Sequence, residues 1–249
     1  GLGGMGGGCA QCLVREGYGL VAFDPLADRL AQLAALGTEP AGSEAEVMRE
    51  ADIVVVSMPF PDILSKVVEQ SLLPNLRRKQ IVIDIGTTPV EQTRALAGRC
   101  EEHGAVWIDA PVSGGPEGAA AGSLRVFVGG PRDAWETVRP LLDTIGDPTY
   151  VVYCGPSGAG QVVKGVNQLT MGLVTAACLE SLAYGVRSGV SPETLLAAVG
   201  GAGGCRGEFA SAARRVIAGE GEQVHIKYGQ YDEFLGHAAA ESFPMPVTA

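Results

Sequence analysis

Gly1-Leu2-Gly3-Gly4-Met5-Gly6 opens the chain with the spacing G-x-G-x-x-G. In this pattern the first glycine makes a tight turn, the second lets the backbone approach a pyrophosphate, and the third lets a helix pack closely on a strand. The helix that follows directs its unpaired N–H groups at the phosphates. The stretch predicts a dinucleotide-binding turn, and further features must support it because a loose glycine turn can match by chance.

Short β-branched runs alternate with helical segments from residue 1 to about 153. Several of these runs are continuously apolar, as strands covered on both faces are. The six strand candidates are Gly19–Phe23, Ile53–Ser57, Ile81–Asp84, Val106–Asp109, Arg125–Val128 and Tyr150–Tyr153. This alternation predicts an α/β domain with a Rossmann-type, doubly wound parallel sheet.

The strand signal disappears from Gly158 onward. Residues 159–188 are predicted to form one long helix, and Ser191 has the position of a helix cap before Pro192. We therefore expect a nucleotide-binding domain over residues 1–156 and an all-helical substrate and dimerisation domain over residues 157–249. Both ends look incomplete: no strand precedes the glycine turn, and the second domain looks truncated at its C-terminal end.

Composition excludes several classes of function. The formal net charge of −10 argues against a nucleic-acid partner. No apolar run looks long enough to span a bilayer, and the N-terminus does not have the pattern of a signal peptide. We therefore expect a cytoplasmic protein with no membrane partner.

The cysteines are expected to be reduced thiols, since no secretory signal accompanies them. They are Cys9, Cys12, Cys100, Cys154, Cys178 and Cys205. Cys9 and Cys12 have redox-motif spacing, but they fall inside a predicted helix with no second cysteine pair. The favoured interpretation is that Cys9 and Cys12 are small buried residues, and no metal site is expected.

Asp24 ends the strand candidate after the glycine turn, 18 residues beyond Gly6. An acidic residue at this distance hydrogen-bonds the adenosine ribose of a dinucleotide, and it repels a 2′-phosphate. Asp24 therefore favours NAD over NADP. Arg29 is the nearest positive charge and keeps NADP open, and Asp24 can also simply start a turn with Pro25.

Three loops follow strand candidates and face the expected ligand side, because ligands bind at the carboxyl ends of parallel strands. Ser57-Met58-Pro59 and the run from Asp84 to Pro89 are placed to line the nicotinamide side, or are ordinary loops. Ser113-Gly114-Gly115 exposes backbone N–H groups that can close around a carboxylate, or forms a tight turn.

Lys164 lies in the largely apolar run Gln161–Val166, where a lysine is costly unless it snorkels or has a role, although most helix lysines are merely solvated. Partial desolvation lowers the pKa of a lysine toward neutrality, where it can act as a general acid or base. Asn167 and Gln168 are three and four residues further on and share its helix face, so they can orient a substrate hydroxyl.

The chain resembles the β-hydroxyacid dehydrogenase family, which includes 3-hydroxyisobutyrate dehydrogenase and tartronate semialdehyde reductase and is related to 6-phosphogluconate dehydrogenase. The resemblance is carried by three segments in the family's order and spacing, and it covers essentially the whole chain. They are Gly1–Gly6, Asp109–Gly115 and Gly158–Gln168.

The resemblance implies a role for each matching residue. The pyrophosphate would be bound by Gly1, Gly3, Met5 and Gly6, and the cofactor would be touched by Met58, Pro59 and Thr87. The loop Ser113–Gly115 would hold the substrate carboxylate, and Lys164 would be the catalytic residue. A second lysine, Lys227, would reach the substrate and cofactor, and the helical half would form a homodimer or homotetramer.

Some positions depart from the family pattern. Tyr228 and Gly229 stand where the family has Asp and Leu after the second lysine, and Gly86 replaces a usual serine. Gln168 replaces the asparagine of many relatives and resembles the tartronate semialdehyde reductase branch. The stretch from Arg215 to His225 is shorter than expected.

The favoured function is an NAD-dependent oxidoreductase, NADP being possible, that interconverts a small β-hydroxy acid and its semialdehyde. Three rivals stay open. An imine reductase shares the architecture but usually lacks the lysine at position 164. A non-catalytic cofactor-binding scaffold would bind NADH without turnover. A phosphosugar acid dehydrogenase would need a basic cluster, and the sequence has no clear one.

Overall fold

The computed structural model describes residues 1–201 and 206–219, which form ten α-helices and eight strands. The helices are α1 (Gly4–Arg15), α2 (Ala27–Ala34), α3 (Glu44–Glu50), α4 (Pro61–Val67), α5 (Val90–Glu102), α6 (Gly115–Ala121), α7 (Arg132–Ile145), α8 (Ala159–Arg187), α9 (Pro192–Val199) and α10 (Arg206–Ile217). The strands are β1 (Val21–Ala22), β2 (Glu39–Pro40), β3 (Ile53–Val56), β4 (Ile81–Asp84), β5 (Val106–Asp109), β6 (Val112–Ser113), β7 (Leu124–Gly129) and β8 (Gly146–Gly155). One π-helical and one 3₁₀ turn extend α4 from Val68 to Asn75.

The main sheet has the order β3-β4-β5-β7, and both β6 and β8 pair with β7. Strands β3, β4 and β5 are parallel, in a register that puts Asp84 opposite Asp109. The predicted all-parallel sheet is corrected at β7, which runs antiparallel to β5 and β6. The connection explains this: β6 and the short helix α6 occupy residues 112–121, and an antiparallel neighbour needs no crossover across the sheet.

Local chemistry sets several element boundaries. The Ser43 hydroxyl accepts the N–H of Glu46 and caps α3, and the Ser191 hydroxyl accepts the N–H of Thr194 and caps α9. Pro192 follows at the first turn of α9, where its missing N–H leaves no helical bond unmade. The predicted cap at Ser191 is therefore confirmed.

Apolar side chains pack on both faces of the main sheet. One cluster joins α1 and α7 to the sheet through residues such as Leu13, Ile108 and Leu142. The other joins α3, α4 and α5 to the opposite face through Met48, Val82 and others. Burial on both faces explains the continuous apolar runs of β3 and β4.

The chain divides into two compact units, residues 1–164 and 165–249. In the second unit, α8, α9 and α10 share a core of Cys178, Leu182 and Phe209 with smaller residues. By length and composition alone α8 is apolar enough to cross a membrane, with a mean hydropathy of 1.4 in its most apolar window. This corrects the expectation that no apolar run is long enough to span a bilayer.

Candidate functional site

The glycine turn forms the predicted start of α1. A Cβ added at Gly1 would lie 2.6 Å from the Ser57 carbonyl oxygen, and one at Gly6 would overlap the Gly1 carbonyl. A Cβ at Gly3 would instead meet only the Arg29 guanidinium, at 3.6 Å. Helix α1 has no side-chain cap and no acidic residue in its first turn. The turn therefore fits a pyrophosphate above Gly3 and beside the free N–H groups of α1.

Asp24 is buried against the glycine turn. Its Oδ2 accepts the Leu2 N–H at 2.6 Å, and its Oδ1 accepts the Leu26 N–H at 2.9 Å. Burial alone would raise the pKa of Asp24, but these two N–H groups and Arg29, 3.7 Å away, hold it below its usual value. A carboxylate has about four acceptor positions, so the ionised group retains capacity for a ribose hydroxyl.

The loops after β3 and β4 lie side by side. A Cβ at Gly86 would lie 3.6 Å from the Met58 carbonyl oxygen. Met58 and Thr87 are half-buried, and Pro59 is exposed. These predicted cofactor contacts therefore share one edge of the sheet with the glycine turn, because Ser57 touches that turn and Met58 touches the next loop.

The Ser113–Gly115 loop requires its glycines. Gly114 and Gly115 have φ values of 137° and 67°, which side-chain-bearing residues rarely adopt. The loop passes from β6 into α6, and its Ser113 is half-buried while both glycines are exposed. A Cβ at Gly4 would lie 3.3 Å from Pro116, so this loop packs beside the start of α1.

Lys164 is buried, with 7% of its surface exposed. Its Nζ donates a hydrogen bond to the Val112 carbonyl oxygen at 2.7 Å. Val112 directly precedes Ser113, so the amine is held at the beginning of the predicted carboxylate loop. Lys164 is therefore not a solvated surface lysine, and its catalytic role stays a prediction.

These contacts close into a ring at the carboxyl edge of the sheet. The glycine turn contacts Ser57, and the neighbouring Met58 contacts Gly86. The Gly86 carbonyl is hydrogen-bonded to the first turn of α8, and Lys164 in the same helix is hydrogen-bonded to Val112. Pro116, shortly after Val112, contacts Gly4 in the glycine turn and closes the ring. The first compact unit thus brings together the first two segments that carried the family resemblance and residues 158–164 of the third.

Two buried carboxylates lie side by side under this ring. Burial raises the pKa of Asp84 to about 6, against hydrogen bonds from Thr88 and Gly86, and the neighbouring Asp109 raises it further. Burial also raises the pKa of Asp109, although it accepts N–H bonds from the start of α8. Gly129 and Gly160 make room for Asp109: a Cβ at Gly129 would lie 2.6 Å from its Oδ2, and one at Gly160 would lie 2.8 Å from it.

Sequence reasoning gave no individual role to Gln161, Asp84 or Asp109, which connect the loop after β4 to α8. Each is almost fully buried. One signal was available: Asp84 and Asp109 both end apolar strands at the ligand side of the sheet, where a carboxylate needs a partner. No local pattern marks Gln161, whose partners are 73 and 75 residues away.

The remaining predicted residues lie elsewhere. Asn167 and Gln168 follow on α8, within the second compact unit. The Asn167 Oδ1 is buried without a hydrogen-bond partner among the described residues. Lys227 lies outside the described residues. Cys9 and Cys12 are buried thiols, as predicted, and burial raises the pKa of Cys9 to about 12.

Two family models match the chain. Residues 1–155 match the NAD-binding domain of 6-phosphogluconate dehydrogenase. Residues 158–228 match the NAD-binding model of NADP-dependent 3-hydroxyisobutyrate dehydrogenase. The cofactor is therefore NAD or NADP, and the glycine turn has the geometry to hold it.

Curated relatives agree with these models. A probable mitochondrial 3-hydroxyisobutyrate dehydrogenase of Dictyostelium discoideum is 34% identical over 78% of this chain and 61% of its own length. The 2-(hydroxymethyl)glutarate dehydrogenase of Eubacterium barkeri is 34% identical over 82% of this chain and 68% of its own length. The chain thus spans about three fifths to two thirds of these relatives.

Solved structures have the same fold. A 3-hydroxyisobutyrate dehydrogenase from Salmonella typhimurium has a TM-score of 0.87 at 26% identity, covering 100% of this chain and 88% of that one. An imine reductase from Bacillus cereus, at 18% identity, a TM-score of 0.70 and coverage of 98% and 76%, shares the fold alone. The chain, with a Rossmann-type domain followed by helices, belongs to the β-hydroxyacid dehydrogenase family.

Proposed function

We propose that this protein interconverts a small β-hydroxy acid and its semialdehyde, of the 3-hydroxyisobutyrate or tartronate semialdehyde type, with Lys164 as the acid/base. The carrying observation is the 2.7 Å bond from the Lys164 amine to the Val112 carbonyl. It joins the acid/base group to the residue before the carboxylate loop. A β-hydroxy acid has its carboxylate and its hydroxyl a few ångströms apart, so one molecule can reach both the loop and the Lys164 amine.

The protein's part in the reaction is positioning and proton transfer. The N–H groups of the Ser113–Gly115 loop hold the substrate carboxylate. The Lys164 amine accepts the hydroxyl proton in oxidation and donates it in reduction, and Asn167 or Gln168 orients the hydroxyl. The nicotinamide, when bound, supplies the hydride chemistry.

The cofactor is proposed to rest on the residues of the glycine turn and the two neighbouring loops. Gly1, Gly3 and Gly6 admit the pyrophosphate, with Met5 beside them in α1. The loops carrying Met58, Pro59 and Thr87 line the nicotinamide end of the cofactor site. Asp24 supports a preference for NAD, because its ionised carboxylate at the turn repels a 2′-phosphate, although Arg29 lies nearby.

The test replaces Lys164 in two ways. Lys164→Met removes the amine at similar length, and Lys164→Arg keeps the charge but cannot release a proton near neutral pH. Both variants should lose about 10²- to 10⁴-fold in kcat, the usual contribution of a general acid or base. NADH binding, followed by its fluorescence, should change little.

Lys79→Met is the matched control. Lys79 is exposed and lies two residues before β4, at the opposite edge of the sheet from the loops. Its variant should keep wild-type turnover on a panel of hydroxy acids and semialdehydes. Wild-type-like turnover in Lys164→Met would refute the acid/base role, and NADH binding without turnover in the wild type would favour a non-catalytic scaffold.

We also propose a second copy of this chain as partner, in a homodimer or homotetramer. Only 17% of the most apolar window of α8 is buried. Tyr184 is 76% exposed and Val166 61%. The family match that includes α8 supports a protein partner for this surface over a lipid one. Light scattering at micromolar concentration measures the assembly, while the cytoplasmic location stays a prediction.

A further inference from the structure

The Gln161 side chain bridges two parts of the site. It is fully buried in the first turn of α8. Its Oε1 accepts the Thr88 N–H at 3.2 Å, and its Nε2 donates to the Gly86 carbonyl oxygen at 3.0 Å. One amide group thus holds the backbone on both sides of Thr87, a predicted cofactor contact.

Asp84 also hydrogen-bonds to the loop of residues 86–88. Its Oδ1 accepts the Gly86 N–H at 2.8 Å, and its Oδ2 accepts the Thr88 hydroxyl at 2.6 Å. Gly86 and Thr88 are therefore each bonded to both Asp84 and Gln161. With its two neighbours held in this way, the backbone of Thr87 has little freedom to move.

The start of α8 is held by Asp109. Its Oδ1 accepts the Gly158 N–H at 2.9 Å, and its Oδ2 accepts the Gln161 N–H at 3.1 Å. Lys164 follows Gln161 by three residues, and the helical rise puts it about 4.5 Å further along the axis. Gln161 is therefore bonded through its backbone to the anchor of the lysine helix and through its side chain to the cofactor loop.

We propose that Gln161 is a positioning residue that couples the loop of residues 86–88 to Lys164, and so sets the distance between the cofactor and the acid/base amine. This proposal rests on the proposed function. The Gln161 side chain is fully buried and bonds only to backbone groups in the described contacts, so it acts through Thr87 and Lys164. A shift of about 1 Å at a reacting group can cost about 10²-fold in rate, which gives the coupling its importance.

The test compares two buried glutamines. Gln161→Met removes both loop hydrogen bonds at nearly constant volume. Gln80→Met is the matched control, because Gln80 is also buried and its amide also holds backbone groups, the Met48 and Ala51 carbonyls, at the other end of β4. Both variants should lower Tm to a similar extent.

Two readouts separate positioning from general stability. In hydrogen exchange on the protein without ligand, Gln161→Met should speed exchange both in residues 86–88 and in residues 161–164, whereas Gln80→Met should not. In turnover, Gln161→Met should lower kcat by about tenfold to 10²-fold, with a larger primary deuterium isotope effect, while Gln80→Met stays within about twofold of wild type. Gln161→Glu, which retains the acceptor for Thr88, should be intermediate and serves if the methionine variant does not fold.

The outcomes distinguish the two proposals. Unchanged exchange at residues 86–88 or 161–164 in the Gln161 variants, or equal kcat losses in the two methionine variants, would overturn the coupling. A wild-type protein that turns over no hydroxy acid, or an active Lys164→Met variant, would instead refute the proposed function, and the exchange data would still report whether the coupling exists.

Discussion

Replacing Gly160 with alanine adds one methyl group at the point where α8 meets the sheet. That methyl would lie 2.8 Å from the Asp109 Oδ2, 2.9 Å from the Asp109 carbonyl oxygen, and closer still to the Phe127 carbonyl. Ordinary contacts begin at 3.4 Å. Ordinary contact with the two Asp109 oxygens requires a retreat of α8 by about 0.5 to 0.6 Å. Ordinary contact with the Phe127 carbonyl as well requires a retreat of about 1 Å.

The retreat carries Lys164 with it, because Gly160 precedes Lys164 by about one helical turn. A displacement of about 1 Å costs up to about 10²-fold in rate, so kcat/KM on the best hydroxy acid should fall by one to two orders of magnitude. Overpacking should also lower the free energy of unfolding by about 1–3 kcal/mol. Steady-state kinetics with saturating cofactor and urea denaturation measure the two effects separately.

Gly98→Ala is the control for the same substitution. Gly98 lies within α5, and a Cβ there meets no atom of the described residues within 4 Å. This variant should gain about 0.5–1 kcal/mol in unfolding free energy, with unchanged turnover. If Gly160→Ala were as active and as stable as Gly98→Ala, the close packing of α8 on Asp109 would not position the lysine.

Three further predictions concern single side chains. The pKa of Asp84 is raised from 3.8 to about 6, so its ionisation disfavours the folded state: relative to Asp84→Asn, the wild-type unfolding free energy should fall by about 2 kcal/mol between pH 4 and pH 8, and a flat difference in urea titrations would contradict the shift. Asp24→Asn removes the charge that repels a 2′-phosphate, so the ratio of kcat/KM with NAD to that with NADP should drop at least about tenfold, and an unchanged ratio would argue against Asp24 as the selector. Ser191→Ala removes the cap of α9 and should cost about 1 kcal/mol in chemical denaturation, whereas no loss would mean that Pro192 alone starts the helix.

Elements with strong local signals could be predicted from the sequence. Strands β4 and β5 match their predicted bounds because each is a short apolar run that ends at an aspartate. Helix α9 begins where Ser191 and Pro192 indicate, since capping depends on three or four neighbouring residues. The glycine turn and Lys164 could be identified because their chemistry requires particular residue types at fixed spacings.

Features set by distant contacts could not be predicted in the same way. The antiparallel direction of β7 depends on how β6 and α6 fill its connection, and β6 itself has only two residues. Gln161 resembles any helix residue until the loop of residues 86–88 is brought against it. The strand candidate Gly19–Phe23 shrinks to Val21–Ala22, because its only partner among the described residues is the two-residue strand β2.

The close packing of Gly129 and Gly160 around Asp109 constrains which substitutions these three positions can accept. The side chain at position 109 fills the space that a methyl group at position 129 or 160 would need. A larger residue at either glycine also meets backbone atoms, the Gly160 nitrogen for position 129 and the Phe127 carbonyl for position 160, so shortening Asp109 relieves only part of the conflict, and by then α8 has lost its anchor. A library randomised at positions 129 and 160 alone should return glycine at both, and double-mutant cycles with Asp109→Ala should show strong epistasis.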